Sequence, residues 1–189
     1  CSISRIDSGS FVWMDRFTVR NLEVFSASSG GEGVSLVDVI DKCSSPMGSR
    51  LLRTWLAMPS LDIDEIRSRH DIVEDFCRDR ERLDNLQMRL GDIGDLDRIL
   101  SRAATGKIQP REILQLGRGL SQIGPIRDIT LGSGQCCNAL STLVGSIDDC
   151  SALLEDIRRT ISPEAASAIG KGDVIASGVD AELDRLRAI

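Results

Sequence analysis

Apolar residues recur at steps of three, four and seven through most of this 189-residue chain, the spacing of one buried helical face. The longest such run is Ile63, Ile66, Val73, Phe76, Leu83, Leu86 and Leu90. It predicts one helix over 62–90, opened by Asp62 and Glu65 in a capping box and stopped by Gly91. An arm of that length suits a bundle or a rigid lever. Ahead of it, Ser35 caps an expected short helix reaching Cys43. Pro46, at a first turn, opens another over 46–58, which Pro59 ends. Met47, Leu51, Leu52, Trp55 and Leu56 share a face of that helix, so Trp55 is expected in the core.

Downstream, helices are expected over 94–104 before Gly106, over 110–123 before Gly124 and Pro125, and over 135–147 and 149–161. A last one starts near Asp180. Residues 26–34 and 130–134 read as breaks. Two stretches depart from the helical pattern. The mixture of β-branched and aromatic residues over 11–25 predicts one or two short strands, and Val174 and Ile175 another around 173–176. The predicted fold class is therefore mainly α, with short β segments near the N-terminus and around 173–176. No fixed-period repeat is present.

Composition narrows the function. Only 3% of residues are aromatic and there is no tyrosine, so the core must be aliphatic. The net charge of −6 repels phosphate at long range, which disfavours a nucleic-acid binder acting alone. Twenty of the 23 basic residues are arginine, the better partner for carboxylates in fixed geometry. Pairs such as Glu74 with Arg78 and Asp75 with Arg78 have helical spacing for surface ion pairs. The six cysteines include no C-x-x-C, and Cys136 and Cys137 are adjacent, which suits neither a zinc knuckle nor a disulfide framework. They read as reduced thiols of a cytoplasmic protein, with Cys77 and Cys150 near apolar helix faces. No stretch is long and apolar enough to span a membrane, so none is expected as a partner. The chain opens on Cys1, and its last helix is still running at Ile189. It therefore reads as part of a longer polypeptide, with apolar helix faces left uncovered.

A search for reactive constellations finds none. Gly106-Lys107 and Gly170-Lys171 lack the residues of a phosphate-binding P-loop, and the Gly30, Gly31, Gly33 run lacks a strand-to-helix setting. His70 is the only histidine and reads as a helix-surface residue. No catalytic, metal or cofactor residue is assigned, and no cofactor is expected within the chain.

Four ordered blocks carry a family resemblance. MDRFTVRNLEV (14–24) places Asp15, Thr18, Arg20, Asn21, Leu22 and Glu23 in the register of a Asp-x-x-Thr-x-Arg-Asn-Leu-Glu entry segment. SLVDVIDKCSSPMGSRLLRTWLAMP (35–59) aligns Asp41, Pro46, Met47, Gly48, Arg50, Leu52, Trp55, Leu56 and Pro59, with Cys43 where threonine is common. IGDLDRILSRAATGKIQPREILQL (93–116) matches an Asp-Leu-Glu-Arg run with Asp97 and Glu112 as charge-preserving departures. KGDVIASGVDAELDRLR (171–187) is the fourth. Together they resemble the lever (core) region of the MutS family of DNA mismatch repair proteins, in its bacterial form.

That resemblance implies an elongated helical bundle. Residues 1–30 would form a junction segment with short strands, 31–179 the lever, and 180–189 the start of a clamp helix. It implies a noncatalytic segment that couples an ATPase domain to a DNA clamp, with ATP and magnesium bound by a domain outside this chain. The implied partners are the remaining domains of the same polypeptide, mismatched duplex DNA contacted through it, a second copy in a homodimer, and a MutL-type protein. Arg20, Asn21, Glu23, Pro46, Met47, Gly48 and Arg50 are the candidate coupling contacts between domains. The same residues also fit a plainer role, with Asn21 and Gly48 shaping turns and Arg50 pairing a carboxylate. Without the resemblance, the pattern fits a generic all-helical scaffold unrelated to DNA.

Overall fold

The computed structural model describes residues 9–27, 33–132, 136–168 and 170–188. Cys1, the glycine run at 30–31, the second half of the 130–134 break and the expected helix start at 135 lie outside them. Eleven α-helices follow one another among the described residues, and no strand does. They are α1 Arg16–Asn21, α2 Leu36–Ile40, α3 Pro46–Ala57, α4 Ile63–Arg78, α5 Arg80–Asp92 and α6 Leu96–Ala104. Then come α7 Pro110–Leu120, α8 Ile123–Leu131, α9 Asn138–Gly145, α10 Ser151–Thr160 and α11 Ala181–Arg187.

Two aliphatic clusters organise them. In the first, Phe76 of α4, Leu86 of α5, Ile126 of α8 and Leu140 and Val144 of α9 are buried together, so α4, α5, α8 and α9 pack as one group. In the second, Ile99 of α6, Leu116 and Leu120 of α7 and Ile157 of α10 are buried together. Ile93, between α5 and α6, packs on the first cluster, and Leu96 on the second, so the short α5–α6 connection joins them.

The expected single helix over 62–90 is broken at Asp79, where φ −130° and ψ 84° leave the helical region. Asp79 ends α4 and caps α5 by accepting the Arg82 amide at 3.0 Å. An aspartate that caps a new helix competes with continuation of the old one, although the apolar phase runs on across the break. Beyond the break, α4 packs on α9 and α5 on α8. Ile72, not Val73, meets the core, and Val73 is exposed. The capping box at Asp62 is half formed: Asp62 accepts the Asp64 and Glu65 amides, while Glu65 takes the Ser60 hydroxyl. Gly91 lies inside α5, and the chain turns at Gly94 instead, where φ is +75°. The expected break at Gly124 and Pro125 falls in the first turn of α8, where a proline amide has no helical partner to lose. The break comes earlier, at Ser121 and Gln122.

Both expected β segments reduce to isolated bridges, Phe11 with Ser60 and Ile161 with Ile175. At the first, Asp15 accepts the Thr18 amide at 2.6 Å and turns the chain into α1 after a single pair. At the second, Pro163 and the positive-φ Gly170 and Gly172 leave no extended run to pair. Trp55 is not in the core. It is 40% exposed, and the Arg69 guanidinium lies 3.7 Å from its ring centroid, held in turn by Glu65. No residue of α3 is buried. Cys77 is likewise exposed, whereas Cys150 packs on the second cluster. Glu74 does pair with Arg78, but Asp75 turns inward to Arg82.

Candidate coupling site

The 46–50 turn is built by local hydrogen bonds. Ser45 caps α3 by accepting the Gly48 amide at 3.2 Å, and Pro46 occupies the first turn, where its missing N–H costs nothing. Asp41 accepts the Cys43 amide at 3.1 Å and the Ser49 hydroxyl at 3.0 Å, which folds the 41–45 segment back onto α3. The Cys43 amide holds the Asp41 carboxyl below the usual carboxylate range, while burial pushes the Cys43 thiol up. A Cβ on Gly48 would sit 3.3 Å from both the Cys43 Cβ and the Ser45 Oγ, so a side chain there crowds the turn. Met47 is half-buried.

Arg50 reaches furthest. Its Nη1 donates to Asp95 Oδ2 at 3.0 Å, and its Nη2 to Asp95 Oδ1 at 2.6 Å and Asp97 Oδ2 at 2.9 Å. This is a two-pronged arginine–carboxylate bond with a third contact, the stiffest form of ion pair. Asp95 also caps α6 through the Arg98 amide at 3.3 Å. Arg50 therefore ties α3 to the start of α6, and so to the joint between the two aliphatic clusters. Its guanidinium holds the Asp95 carboxyl below the usual range, and Asp95 and Asp97 push the Arg50 pKa up.

Because the folded pKa of Asp95 is depressed, its contribution to stability is present above the ordinary carboxylate pKa of about 3.9. It is lost as pH falls through the folded value. The carboxyl carbon resonance of Asp95 should titrate below that ordinary value. In Arg50→Gln it should titrate close to it. A midpoint unchanged by Arg50→Gln would mean the clamp does not persist in solution.

The 20–23 segment works through its backbone. Glu23 adopts φ +50°, and its carbonyl accepts the Leu36 amide at 2.9 Å, while the Val24 carbonyl accepts the Val37 amide at 3.0 Å. Ser35 and Asp38 form a reciprocal capping box on the same helix. The first amides of α2 are thus satisfied, and Val24, Ser35 and Val37 are buried around them. The Ser35 hydroxyl holds the Asp38 carboxyl low, and Arg53 of α3 adds to that effect at both Asp38 and Asp41. The Arg20 and Asn21 side chains are exposed, and no hydrogen bond or ion pair among the described residues joins them to the 46–50 turn.

Asp38, Asp95 and Arg53 are site residues that the sequence patterning did not single out, and Asp41 and Asp97 entered it only as positions in the family blocks. The i, i+3 spacing of Asp38 and Asp41, matched by that of Arg50 and Arg53, is a signal that could have found them. Among the described residues, no group of three or more His, Cys, Asp or Glu side chains is placed to hold a metal ion.

The geometry defines an all-helical domain in which a capped turn and an arginine clamp fix one helical unit against another. The MutS domain III family matches residues 17–188, and the chain belongs to that family. The chain is 45% identical over 188 residues to the DNA mismatch repair protein MutS of Flavobacterium johnsoniae, covering all of this chain and 21% of the relative. Those of Parabacteroides distasonis, 41% identical over 188 residues and 21% covered, and Bacteroides fragilis, 39% over 189 residues and 22% covered, are similar in the same way. The chain spans about a fifth of the length of these relatives.

Proposed function

We propose that this domain is the lever of a mismatch repair protein, relaying the nucleotide state of an ATPase domain to a DNA clamp, both outside the described residues. The observation that carries the reading is the Arg50 clamp. It links two motif blocks 45 residues apart and fixes α3 to the α5–α6 joint, so movement of α3 is passed to both helical clusters. A relay needs an element that moves as one body, and the clamp supplies a fixed contact between α3 and the α5–α6 joint.

The surface of α1 to α3 supports the same reading. Trp13, Phe17, Leu22, Val39 and Leu51 are all at least half exposed there. Exposed apolar side chains on these segments suit packing against the remaining domains of the same polypeptide. In this reading, ATP and magnesium bind elsewhere in that polypeptide, which acts as a homodimer on mismatched duplex DNA with a MutL-type partner. Arg20, Asn21 and Glu23 serve at the junction.

The test uses the full-length polypeptide with Arg50→Gln. ATP hydrolysis without DNA is expected to persist. ATP-triggered release from a mismatched duplex should slow by at least about fivefold, the low end of ordinary coupling energies. A release rate equal to that of the parent protein would reduce the clamp to a local stability device.

A further inference from the structure

A groove between α7, α10, the α5–α6 connection and the 163–165 turn lies beside the joint that Arg50 grips. It consists of two adjoining cavities of about 600 and 250 Å³ that share Leu114, Arg118 and Pro163. Arg111 and Arg118 line the larger cavity, and Arg118 and Arg158 the smaller. Arg111 and Arg118 stand two turns apart on one face of α7, with Leu114 between them. All three arginines are exposed, and none has an ion-pair partner among the described residues, in a chain whose other arginines mostly do. The smaller cavity is floored by Leu114, Gly117, Leu154, Ile157 and Ile161, an apolar surface.

We infer that this groove binds an acidic peptide segment of a partner protein, with a leucine-sized side chain seated in the smaller cavity and carboxylates paired to Arg111, Arg118 and Arg158. Charge complementarity favours that occupant. Three free guanidinium forks match carboxylates, and the apolar floor matches an aliphatic anchor between them. Asp92 and Glu164 line the larger cavity as well. The smaller cavity is lined by Arg118 and Arg158 and by no carboxylate, so the acidic side chains of the peptide pair there, and its apolar floor seats an aliphatic side chain that a phosphate backbone lacks. None of the three arginines belongs to the Arg50 clamp, so Arg118→Gln tests the groove with the clamp intact.

The probe is a capped, fluorescein-labelled peptide of alternating glutamate and leucine, titrated into the 189-residue chain by anisotropy. Controls are the same peptide with glutamine for glutamate, and labelled oligothymidylate. The acidic peptide should bind, and Arg118→Gln should weaken it at least about tenfold, equivalent to about 1.4 kcal/mol. Arg118→Lys should recover only part of that, since a lysine lacks the fork. Arg118 is exposed, so an unchanged circular dichroism melt is expected for both variants. Absence of binding, equal binding by Arg118→Gln, or equal binding of the glutamine peptide would each overturn the inference. So would preferential capture of the oligonucleotide through the same arginines, which would assign the groove to phosphate.

Discussion

Replacing Arg82 with methionine is expected to destabilise the domain by about 3–5 kcal/mol, the cost of leaving one partner of a buried ion pair alone. Arg82 Nη2 donates to the Asp75 carboxylate at 2.7 Å and lies 3.4 Å from the Asp75 carbonyl, and both side chains are nearly nine-tenths buried. The guanidinium also lies 4.9 Å from the Phe76 ring centroid and closes against Gly132 at the end of α8. One side chain therefore ties α5 to the last turn of α4 across the Asp79 break, beside the first aliphatic cluster. With methionine in its place, packing volume is largely kept, but the Asp75 charge remains inside without a partner. A single domain has a total stability of about 5–15 kcal/mol, so the loss is a large share of it.

The double variant Asp75→Leu with Arg82→Met separates charge from packing. Removing both ends of a buried pair is often neutral, so the double variant should recover most of the lost stability. Urea titration followed by circular dichroism reads both effects. A loss under about 1 kcal/mol for Arg82→Met, the range of exposed pairs, would show that solvent reaches the Asp75 carboxylate.

The α4–α5 break also shows what the sequence conveys and what it hides. Ser35, Pro46, Pro110 and Asp180 each open a helix where their side chains dictate, because capping is a local interaction read within four residues. Asp79 carries the same capping chemistry, yet the apolar repeat passes through it unbroken, and periodicity cannot distinguish one bent helix from two. Trp55 shows a second limit. Its face is apolar in sequence, but no residue of α3 is buried in this chain, so the pattern identifies a surface that packs without identifying what it packs on.

At the candidate site, the 46–50 turn was legible because Pro46 and Gly48 act on their own neighbours. The bond from Arg50 to Asp95 and Asp97 was not, since no spacing rule connects positions 45 and 47 residues apart. The plainer reading of Arg50 as a carboxylate partner is the contact seen with Asp95 and Asp97, and the proposed coupling would act through that pairing. Arg20 and Asn21 carry no such contact within the described residues, so their role rests on the family resemblance.

The second large effect is expected from the smallest substitution. Gly119→Ala should destabilise the domain by about 3 kcal/mol, at the upper end of the range for overpacking. Gly119 is buried on α7, and a Cβ there would lie 2.5 Å from the Ile93 carbonyl oxygen and 2.8 Å from Leu96 Cδ2. Leu96 has rotamers to move into, but the Ile93 oxygen is backbone and cannot step aside alone. Relief requires the α5–α6 connection to lift from α7, which separates the two aliphatic clusters at the segment that joins them and disturbs the Asp95 cap that Arg50 grips. The helical preference of alanine over glycine, about 1 kcal/mol, works against the loss but does not offset it. Gly145→Ala isolates that preference. Gly145 is exposed in the last turn of α9 with nothing within 4 Å of its would-be Cβ, so alanine there should stabilise by about 0.5–1 kcal/mol. The two variants, compared by thermal and urea unfolding, should shift in opposite directions. A Gly119→Ala domain as stable as the parent would mean that α7 and the α5–α6 connection are not held in contact, and the proposed transmission through that joint would fail with it.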